Sequence, residues 1–266
     1  MHDFMLGVIG AGNMGSAILQ GALSAGIMLP QQVWIANPHI ERLSPFGDMG
    51  VMLTTSNSEA VKHSDIILLA VKPQRMTEVA EEITPYTAGK CIVSIAAGIS
   101  QSWLRERFPN CPVICLMPNT PLMLGCGASA MTERGDVPEE MYDYVYRIFS
   151  SVGLVEILPA DRINEIIPVS GSSPAFFFRM VDLMVQAAGQ YGIDPDTALK
   201  MAAKTMEGSA RMLLSSGKTA KELERQVCSP GGTTLAGLTA FDELEFDRMI
   251  SLAFERCVRR AYELGK

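Results

Sequence analysis

Short apolar runs alternate with helix-like segments through residues 1–159. Most runs are continuous and rich in valine and isoleucine, which is typical of strands covered on both faces. They lie at residues 5–9, 33–36, 66–71, 92–96, 113–117, 128–131 and 154–157. Helical periodicity lies between them, at residues 14–25, 74–83, 102–108 and 138–149. This alternation predicts βαβ units and a mostly parallel, doubly wound sheet.

Strand patterns stop after Pro159, and only helical periodicity follows. Helices are predicted at residues 163–169, 174–191, 196–215, 220–227, 235–241 and 245–264. The second is apolar all round, because Phe176, Phe177 and Phe178 are consecutive and cannot share one helix face. Such a helix must be buried on every side, which favours burial against a partner subunit. We therefore expect a dinucleotide-binding-type α/β domain at residues 1–159 and an all-α dimerisation domain at residues 160–266.

Composition narrows the possible partners. The 266 residues are 48% hydrophobic and 19% charged, with a formal net charge of −7. This charge argues against nucleic acid, because surfaces that bind phosphate backbones are usually basic. The longest uncharged stretch, residues 108–132, is interrupted by four prolines and two glycines, so no membrane span is expected. Asp3 precedes a strand-like segment, which is not typical of a secretory signal, and we expect a cytoplasmic protein.

Cysteine and histidine positions do not suggest a metal site. The six cysteines include no C-x-x-C pair, and the three histidines all precede residue 64. No metal is therefore expected, and the thiols are expected to be reduced.

A Gly-x-Gly-x-x-Gly pattern follows the first predicted strand and opens the first helix. It comprises Gly10, Gly12, Asn13, Met14 and Gly15. At such a junction the first glycine serves a tight turn, the second admits a pyrophosphate and the third lets helix and strand pack closely. Close packing without a ligand is the alternative, but the position of the pattern favours a Rossmann-type dinucleotide site.

The end of the second predicted strand bears on the choice of dinucleotide. Proteins that bind NAD commonly place a carboxylate there, on the ribose 2′-hydroxyl. This chain has Asn37, which would not repel a 2′-phosphate, and Arg42 is a nearby cation. NADPH is therefore expected to be preferred, with NADH possible.

Further segments follow strands at the same edge of the sheet, where doubly wound folds bind ligands. From them we expect dinucleotide contacts by Ala70, Val71, Lys72, Pro73, Ala97, Gly98 and Asn119. An ordinary surface lysine is the alternative for Lys72. Pro118 and Pro121 stiffen the loop around Asn119, which we expect to border the nicotinamide.

Residues 229–234, Ser-Pro-Gly-Gly-Thr-Thr, form what we call the Gly-Gly loop, between two predicted helices. A turn with two glycines before a helix leaves backbone N–H groups unpaired. Together with the helix dipole, these groups can bind a carboxylate or phosphate. An ordinary inter-helix turn with a Ser or Thr cap is the alternative.

The helical half offers little for alcohol chemistry. It contains no histidine to act as a base. The β-hydroxyacid dehydrogenases share the two-part layout and carry a catalytic lysine in a G-x-G-x-x-x-K pattern, where this chain has Phe177. Reduction of a protonated imine needs no strong acid, because the nitrogen already carries its proton. A hydroxyl donor beside an anion-binding site would suffice.

Taken over its whole length, the chain resembles the pyrroline-5-carboxylate reductases, the last enzymes of proline synthesis. The resemblance is carried by the glycine-rich pattern, by residues 70–74, 117–121 and 170–175, and by a signature from Val227 through the Gly-Gly loop to Asp242. It implies NAD(P)H-dependent reduction of 1-pyrroline-5-carboxylate, a cyclic imino acid, to L-proline by hydride transfer to the protonated imine. It also implies a homodimer, or a higher oligomer built from dimers, with the substrate at an interface of intertwined helical domains.

The resemblance also assigns roles to residues. It implies that amides of the Gly-Gly loop, at Gly231, Gly232 and Thr233, hold the substrate carboxylate. Thr234 would hydrogen-bond the ring nitrogen, with Ser229 as the second catalytic residue. Asn37 would meet the adenosine ribose or its phosphate.

The chain departs from the family pattern before the first long helix of its second half. The family usually has Thr-Gly-x-Ser-Gly-Ser-Gly-Pro-Ala there, and this chain has Ile167, Pro168 and Ser173 at three of those positions. Two alternatives therefore stand beside proline formation. One is an imine reductase for a different cyclic imine, and the other is a paralogue that binds the nucleotide without turnover.

Overall fold

The computed structural model describes residues 4–265, so Asp3, used above against a secretory signal, lies outside the described residues. An eight-stranded sheet occupies the first part of the chain. Its strands are β1 (Leu6–Ile9), β2 (Val33–Ala36), β3 (Met52–Thr54), β4 (Ile66–Leu69), β5 (Cys91–Ser94), β6 (Val113–Met117), β7 (Gly127–Thr132) and β8 (Gly153–Leu158). The strand order is β3-β2-β1-β4-β5-β6-β7-β8. The first six strands are parallel, β7 is antiparallel to β6, and β8 is parallel to β7.

Helices cover both faces of this sheet. They are α1 (Asn13–Ser24), α2 (Ser44–Asp48), α3 (Asn57–Lys62), α4 (Met76–Ile83), α5 (Gln101–Arg107) and α6 (Glu139–Ser150). Alternate strand residues enter two separate cores, Leu68 with α1 and α6 on one face and Leu69 with α4 and α5 on the other. Burial on both faces explains the continuous apolar runs and confirms the predicted doubly wound, mostly parallel sheet.

The second part of the chain is helical, as predicted. Its helices are α7 (Ser173–Gly189), α8 (Pro195–Ser215), α9 (Ala220–Val227), α10 (Thr233–Glu243) and α11 (Phe246–Leu264). Side chains cap two of them: Asp194 accepts from the N–H of Thr197 at 3.0 Å, and Thr219 and Glu222 form a capping box. No helix of the described part of the chain is both long and apolar enough to cross a membrane.

The predicted helix at residues 163–169 is wrong. The structure has a 3₁₀ turn at Ala160–Arg162 and a π-helical turn at Ile167–Gly171. Pro168 has no N–H to donate to the carbonyl four residues earlier, so a regular α-helix cannot run through it. Instead, the N–H of Ser172 donates to the Ile167 carbonyl at 2.7 Å, five residues back.

Contacts divide the chain into two compact units. The first extends to Ser172 and includes the chain from Arg256 onward, and the second is Ser173–Glu255. The predicted boundary at residue 160 lies before this division, and the assignment of residues 160–172 to a functional domain stays a prediction.

The second unit has almost no core of its own. Pro174 and Leu223 are the two buried apolar side chains among its described residues. Large apolar side chains are exposed instead, with Phe178 69%, Leu214 82% and Leu244 82% exposed. Apolar surface on this scale marks an interaction surface and needs a partner to cover it. This agrees with the partner subunit expected from Phe176–Phe178.

Candidate nucleotide and substrate sites

The glycine-rich turn after β1 can form only with glycine at its first position. Gly10 has a φ of +82°, and its N–H donates to the Ala36 carbonyl at the end of β2 at 2.9 Å. A Cβ on Gly10 would also overlap the side chain of Val71. The N–H of Gly12 then donates to the Gly10 carbonyl at 2.7 Å, which closes the turn.

The start of α1 has the geometry of an anion site. Gly12 precedes the helix, has no side-chain cap, and would give a Cβ open space within 4 Å. The N–H groups of Asn13, Met14 and Gly15 have no acceptor among residues 4–265, and the first turn has no acidic residue. A Cβ on Gly15 would lie 3.1 Å from the Cβ of Ala70, so α1 packs closely against the end of β4. A pyrophosphate therefore fits against this turn.

Asn37 joins the end of β2 to the glycine-rich turn. Its Nδ2 donates to the Ala11 carbonyl at 3.2 Å, and its Oδ1 accepts from the N–H of His39 at 2.9 Å. Arg42 lies in the following 3₁₀ turn, Ile40–Leu43, is exposed, and has no ion-pair partner within the described chain. Two groups without negative charge thus occupy the region where a carboxylate would read a ribose hydroxyl.

The chain leaves the sheet after Leu69, at the end of β4 next to β1. The N–H of Ala70 still donates to the Ile9 carbonyl at 2.9 Å. Lys72 is exposed, immediately precedes the 3₁₀ turn Pro73–Arg75, and forms no ion pair with any described residue. Its ammonium is therefore available to an anion at the carboxyl edge of the sheet.

The loop after β5 meets the end of α11. Gly98 is buried with a φ of +83°, and Ala97 beside it is partly buried. A Cβ on Gly98 would lie 2.6 Å from the Ala261 carbonyl oxygen and 2.9 Å from the Leu264 Cβ. Glycine is required here by backbone conformation and by a close helix contact.

Asn119 is engaged within the protein at both ends of its amide. It is 8% exposed, its Oδ1 accepts from the N–H of Ala128 at 2.9 Å, and its Nδ2 donates to the Ser170 carbonyl at 3.1 Å. It thus ties the loop after β6 to β7 and to the π-helical turn. The sequence could not predict Ser170 as the acceptor of this hydrogen bond, since 51 positions separate the two residues.

The Gly-Gly loop is a tight turn that ends in a helix start. Gly231 has a φ of +68°, and the N–H of Gly232 donates to the Ser229 carbonyl at 2.9 Å. A Cβ on Gly232 would overlap the Ser229 hydroxyl. Gly231 is therefore required by its positive φ, and Gly232, whose φ is −79°, by the space that the Ser229 hydroxyl fills.

This turn leaves donors open at the start of α10. The N–H groups of Thr233, Thr234 and Leu235 have no acceptor in the described chain, and no acidic residue lies in the first turn of the helix. Within residues 4–265 no intramolecular hydrogen bond engages the hydroxyls of Ser229 and Thr234. The arrangement can bind a carboxylate at the helix start and supply a hydroxyl beside it.

Other reactive groups are placed as structural residues. Burial raises the pKa of the Cys91 thiol and of the Cys115 thiol to about 12, so both stay protonated and unreactive. Over residues 4–265 no group of three or more His, Cys, Asp or Glu is placed to hold a metal ion. The predicted dinucleotide residues all lie in the first unit, and the Gly-Gly loop lies in the second.

Two family models match the chain. One, described as pyrroline-5-carboxylate reductase dimerisation, matches residues 160–264. The other, described as NADP oxidoreductase coenzyme F420-dependent, matches residues 5–98. The matched regions correspond to the helical part of the chain and to the glycine-rich half of the sheet.

Similar proteins match over the whole length. The chain is 36% identical to the pyrroline-5-carboxylate reductase of Escherichia coli, with 98% of each chain covered. It superposes on the pyrroline carboxylate reductase of Plasmodium falciparum, solved with NADP bound, with a TM-score of 0.91, 26% identity and 100% of each chain covered. For the pyrroline-5-carboxylate reductase of Coxiella burnetii the TM-score is 0.90, with 28% identity and full coverage of both chains.

Proposed function

The chain belongs to the pyrroline-5-carboxylate reductase family, and we propose that it reduces pyrroline-5-carboxylate to L-proline with NADPH. The observation that carries this proposal is the start of α10, where three N–H groups lie open beside the free hydroxyls of Ser229 and Thr234. A substrate with a carboxylate and a protonated ring nitrogen needs both kinds of group. When bound, NADPH supplies the hydride, and NADH is a possible substitute.

The substrate is held by the Gly-Gly loop. Of the three predicted amides, those of Gly231 and Thr233 are open within the described chain and bind its carboxylate, while Gly232, whose N–H donates to the Ser229 carbonyl, shapes the turn. The Thr234 hydroxyl hydrogen-bonds the ring nitrogen, with Ser229 beside it. The imine carbon gains the hydride and the carbon–nitrogen π electrons move to nitrogen, which keeps the proton it already carries. Hydride addition neutralises the positive charge of the imine nitrogen. The residues need only to orient the ring and hydrogen-bond this nitrogen, so no strong acid is required.

The dinucleotide lies along the carboxyl edge of the sheet in this proposal. Gly10, Gly12, Asn13, Met14 and Gly15 bind the pyrophosphate, and Asn37 with Arg42 accommodates the 2′-phosphate. Segments further along the edge border the nicotinamide half, namely Ala70, Val71, Lys72, Pro73, Ala97, Gly98 and Asn119. The support is the open space at Gly12 and the absence of a carboxylate after β2.

The protein is a homo-oligomer whose helical unit covers its apolar surface with a second copy. We propose a homodimer, or a larger assembly of such dimers, in the cytoplasm. With a net charge of −7, neither nucleic acid nor a membrane surface is proposed as a partner.

A panel of cyclic imines tests the proposal. Oxidation of NADPH is followed with pyrroline-5-carboxylate, with the same ring lacking the carboxylate, and with a six-membered ring that keeps the carboxylate. We expect the carboxylate-free ring to lose at least about a hundredfold in kcat/KM, because the loop amides then have no anion. Equal kcat/KM with and without the carboxylate would contradict the role of the Gly-Gly loop.

A different cyclic imine is the second candidate substrate. It is favoured by the π-helical turn at Ile167–Gly171, which contains the departure at Pro168. The six-membered ring in the panel decides between the two. A higher kcat/KM for that ring would identify it as the preferred substrate in place of pyrroline-5-carboxylate. The imine chemistry would be unchanged.

A further inference from the structure

The last turn of α11 presses against the loop that follows β5. The Gly98 backbone approaches the Ala261 carbonyl and the Leu264 side chain so closely that no Cβ fits between them. Ala261 is 3% exposed, which makes it a buried residue of this contact. The end of α11 therefore packs directly against the backbone of the loop.

A side-chain hydrogen bond fastens the same helix turn. The Tyr262 hydroxyl donates to Glu165 Oε1 at 2.6 Å, across 97 positions of sequence. The other oxygen, Oε2, is buried and has no hydrogen-bond partner among the described residues. Glu165 is partly exposed and Tyr262 is 47% exposed, and the Tyr262 hydroxyl is the one hydrogen-bond partner of this carboxylate among the described residues. The pKa of Tyr262 is raised above its ordinary value, mainly by the hydrogen bond to Glu165 and next by burial.

The loop has few other ties. Its backbone donates from the Ile95 N–H to the Leu69 carbonyl at 3.2 Å, from the Ala96 N–H to the Ser94 hydroxyl at 3.2 Å and from the Ile99 N–H to the Ala96 carbonyl at 3.3 Å. The Ile99 carbonyl accepts from the Cys115 thiol at 3.7 Å. Gly98 lies between the bonded residues, in a left-handed conformation that glycine leaves easily. The conformation of residues 96–98 thus depends on the helix end that covers them.

We propose that Glu165 and Tyr262 are positioning residues for the nicotinamide. Their hydrogen bond fixes the last turn of α11, and that turn holds residues 95–99 in the conformation that receives the nicotinamide ring. The inference rests on the proposed function, which assigns Ala97 and Gly98 to the nicotinamide half of the dinucleotide. Neither residue touches the substrate in this account, and both act through the loop.

Conservative variants test the pair. Tyr262→Phe removes only the hydroxyl, and Glu165→Gln keeps an acceptor but removes the charge. Tyr146→Phe is the matched control, since this partly exposed tyrosine of α6 has no hydrogen bond among the described residues. The dissociation constant for NADPH, the steady-state constants and hydrogen exchange of residues 95–99 are measured for each.

We expect Tyr262→Phe to raise the dissociation constant and the KM for NADPH about three- to tenfold and to speed hydrogen exchange at residues 95–99. Glu165→Gln should have a smaller effect, and the double variant should be no worse than Tyr262→Phe alone, because one interaction is lost in each. Tyr146→Phe should match the unaltered protein in all three measurements.

A purely structural role gives a different result. Thermal stability would then fall in Tyr262→Phe while NADPH affinity and exchange at residues 95–99 stayed unchanged, and this outcome overturns the proposal. Affinity and exchange are measured without substrate, so a protein that binds NADPH but fails to reduce pyrroline-5-carboxylate counts against the proposed function alone. Failure of the unaltered protein to bind NADPH overturns the positioning role, because the loop then has no nicotinamide to receive.

Discussion

The Ser229 hydroxyl occupies the space that a Cβ on Gly232 would need. The N–H of Gly232 donates back to the Ser229 carbonyl at 2.9 Å, so the two residues close the turn together. The closed turn leads directly into α10, whose first three N–H groups have no acceptor in the described chain. The packing of Ser229 on Gly232 and the open anion site are therefore one structural feature.

Gly232→Ala should open this turn and raise the KM for pyrroline-5-carboxylate at least about tenfold, because the added methyl displaces Ser229 and misdirects the amides. Removing the obstructing oxygen should relieve the strain, since the next nearest atom, the Ser229 carbonyl oxygen, would lie 3.1 Å from the Cβ. The double variant Ser229→Ala with Gly232→Ala should thus be more stable to heat than Gly232→Ala alone. Equal melting temperatures for the two would contradict the packing account.

Thr234→Ala should lower kcat/KM for pyrroline-5-carboxylate about ten- to a hundredfold, because it removes a hydrogen bond to a charged group. The NADPH affinity should stay unchanged. Thr234→Ser should keep most of the activity. Thr239→Ala is the matched control on the same helix, because its hydroxyl bonds only to the Leu235 carbonyl, at 3.1 Å. Parallel losses in kcat/KM and in NADPH affinity would mean that Thr234 is structural.

Gly12→Ala and Gly10→Ala should differ in kind. A Cβ on Gly12 meets nothing, so we expect the free energy of unfolding to change by less than about 1 kcal/mol while the dissociation constant for NADPH rises at least about tenfold. Gly10→Ala should destabilise the fold itself by about 1–3 kcal/mol or more, since its φ of +82° is strained for alanine. Urea unfolding and NADPH titration separate the two effects, and unchanged affinity in Gly12→Ala would place the pyrophosphate elsewhere.

Asn37→Asp should shift the cofactor preference toward NADH by at least about tenfold in the ratio of kcat/KM values. The new carboxylate repels a 2′-phosphate and can accept from a ribose hydroxyl. Asn37→Ala serves as the control, because it loses the bond to the Ala11 carbonyl without adding charge. The same shift in both variants would show that the charge is not its cause.

Local patterns predicted most of the fold, because the apolar positions within each strand and helix indicate which of its faces are buried. Strand β3 was missed: at Met52–Thr54 it has three residues at the edge of the sheet, and only Thr54 is buried. Helices α2 and α3 were missed as well, with five and six residues. The helix expected at residues 163–169 failed at Pro168, where a missing N–H outweighed the apolar pattern.

The same contrast holds at the sites. Gly10 and Gly231 could be predicted, since a tight turn with positive φ requires glycine through its own backbone. The ties of Asn119 to Ser170 and of Tyr262 to Glu165 could not, because they join residues 51 and 97 positions apart that only the fold brings together. The spacing of residues within one helix or strand cannot indicate a contact with a distant part of the chain.

Consumption of NADPH on addition of pyrroline-5-carboxylate, with the product identified as proline, tests the central claim most directly. We predict that the purified protein oxidises one NADPH for each proline formed, and does so with NADH at a lower kcat/KM. Protein that binds NADPH but neither oxidises it nor forms proline would contradict the account.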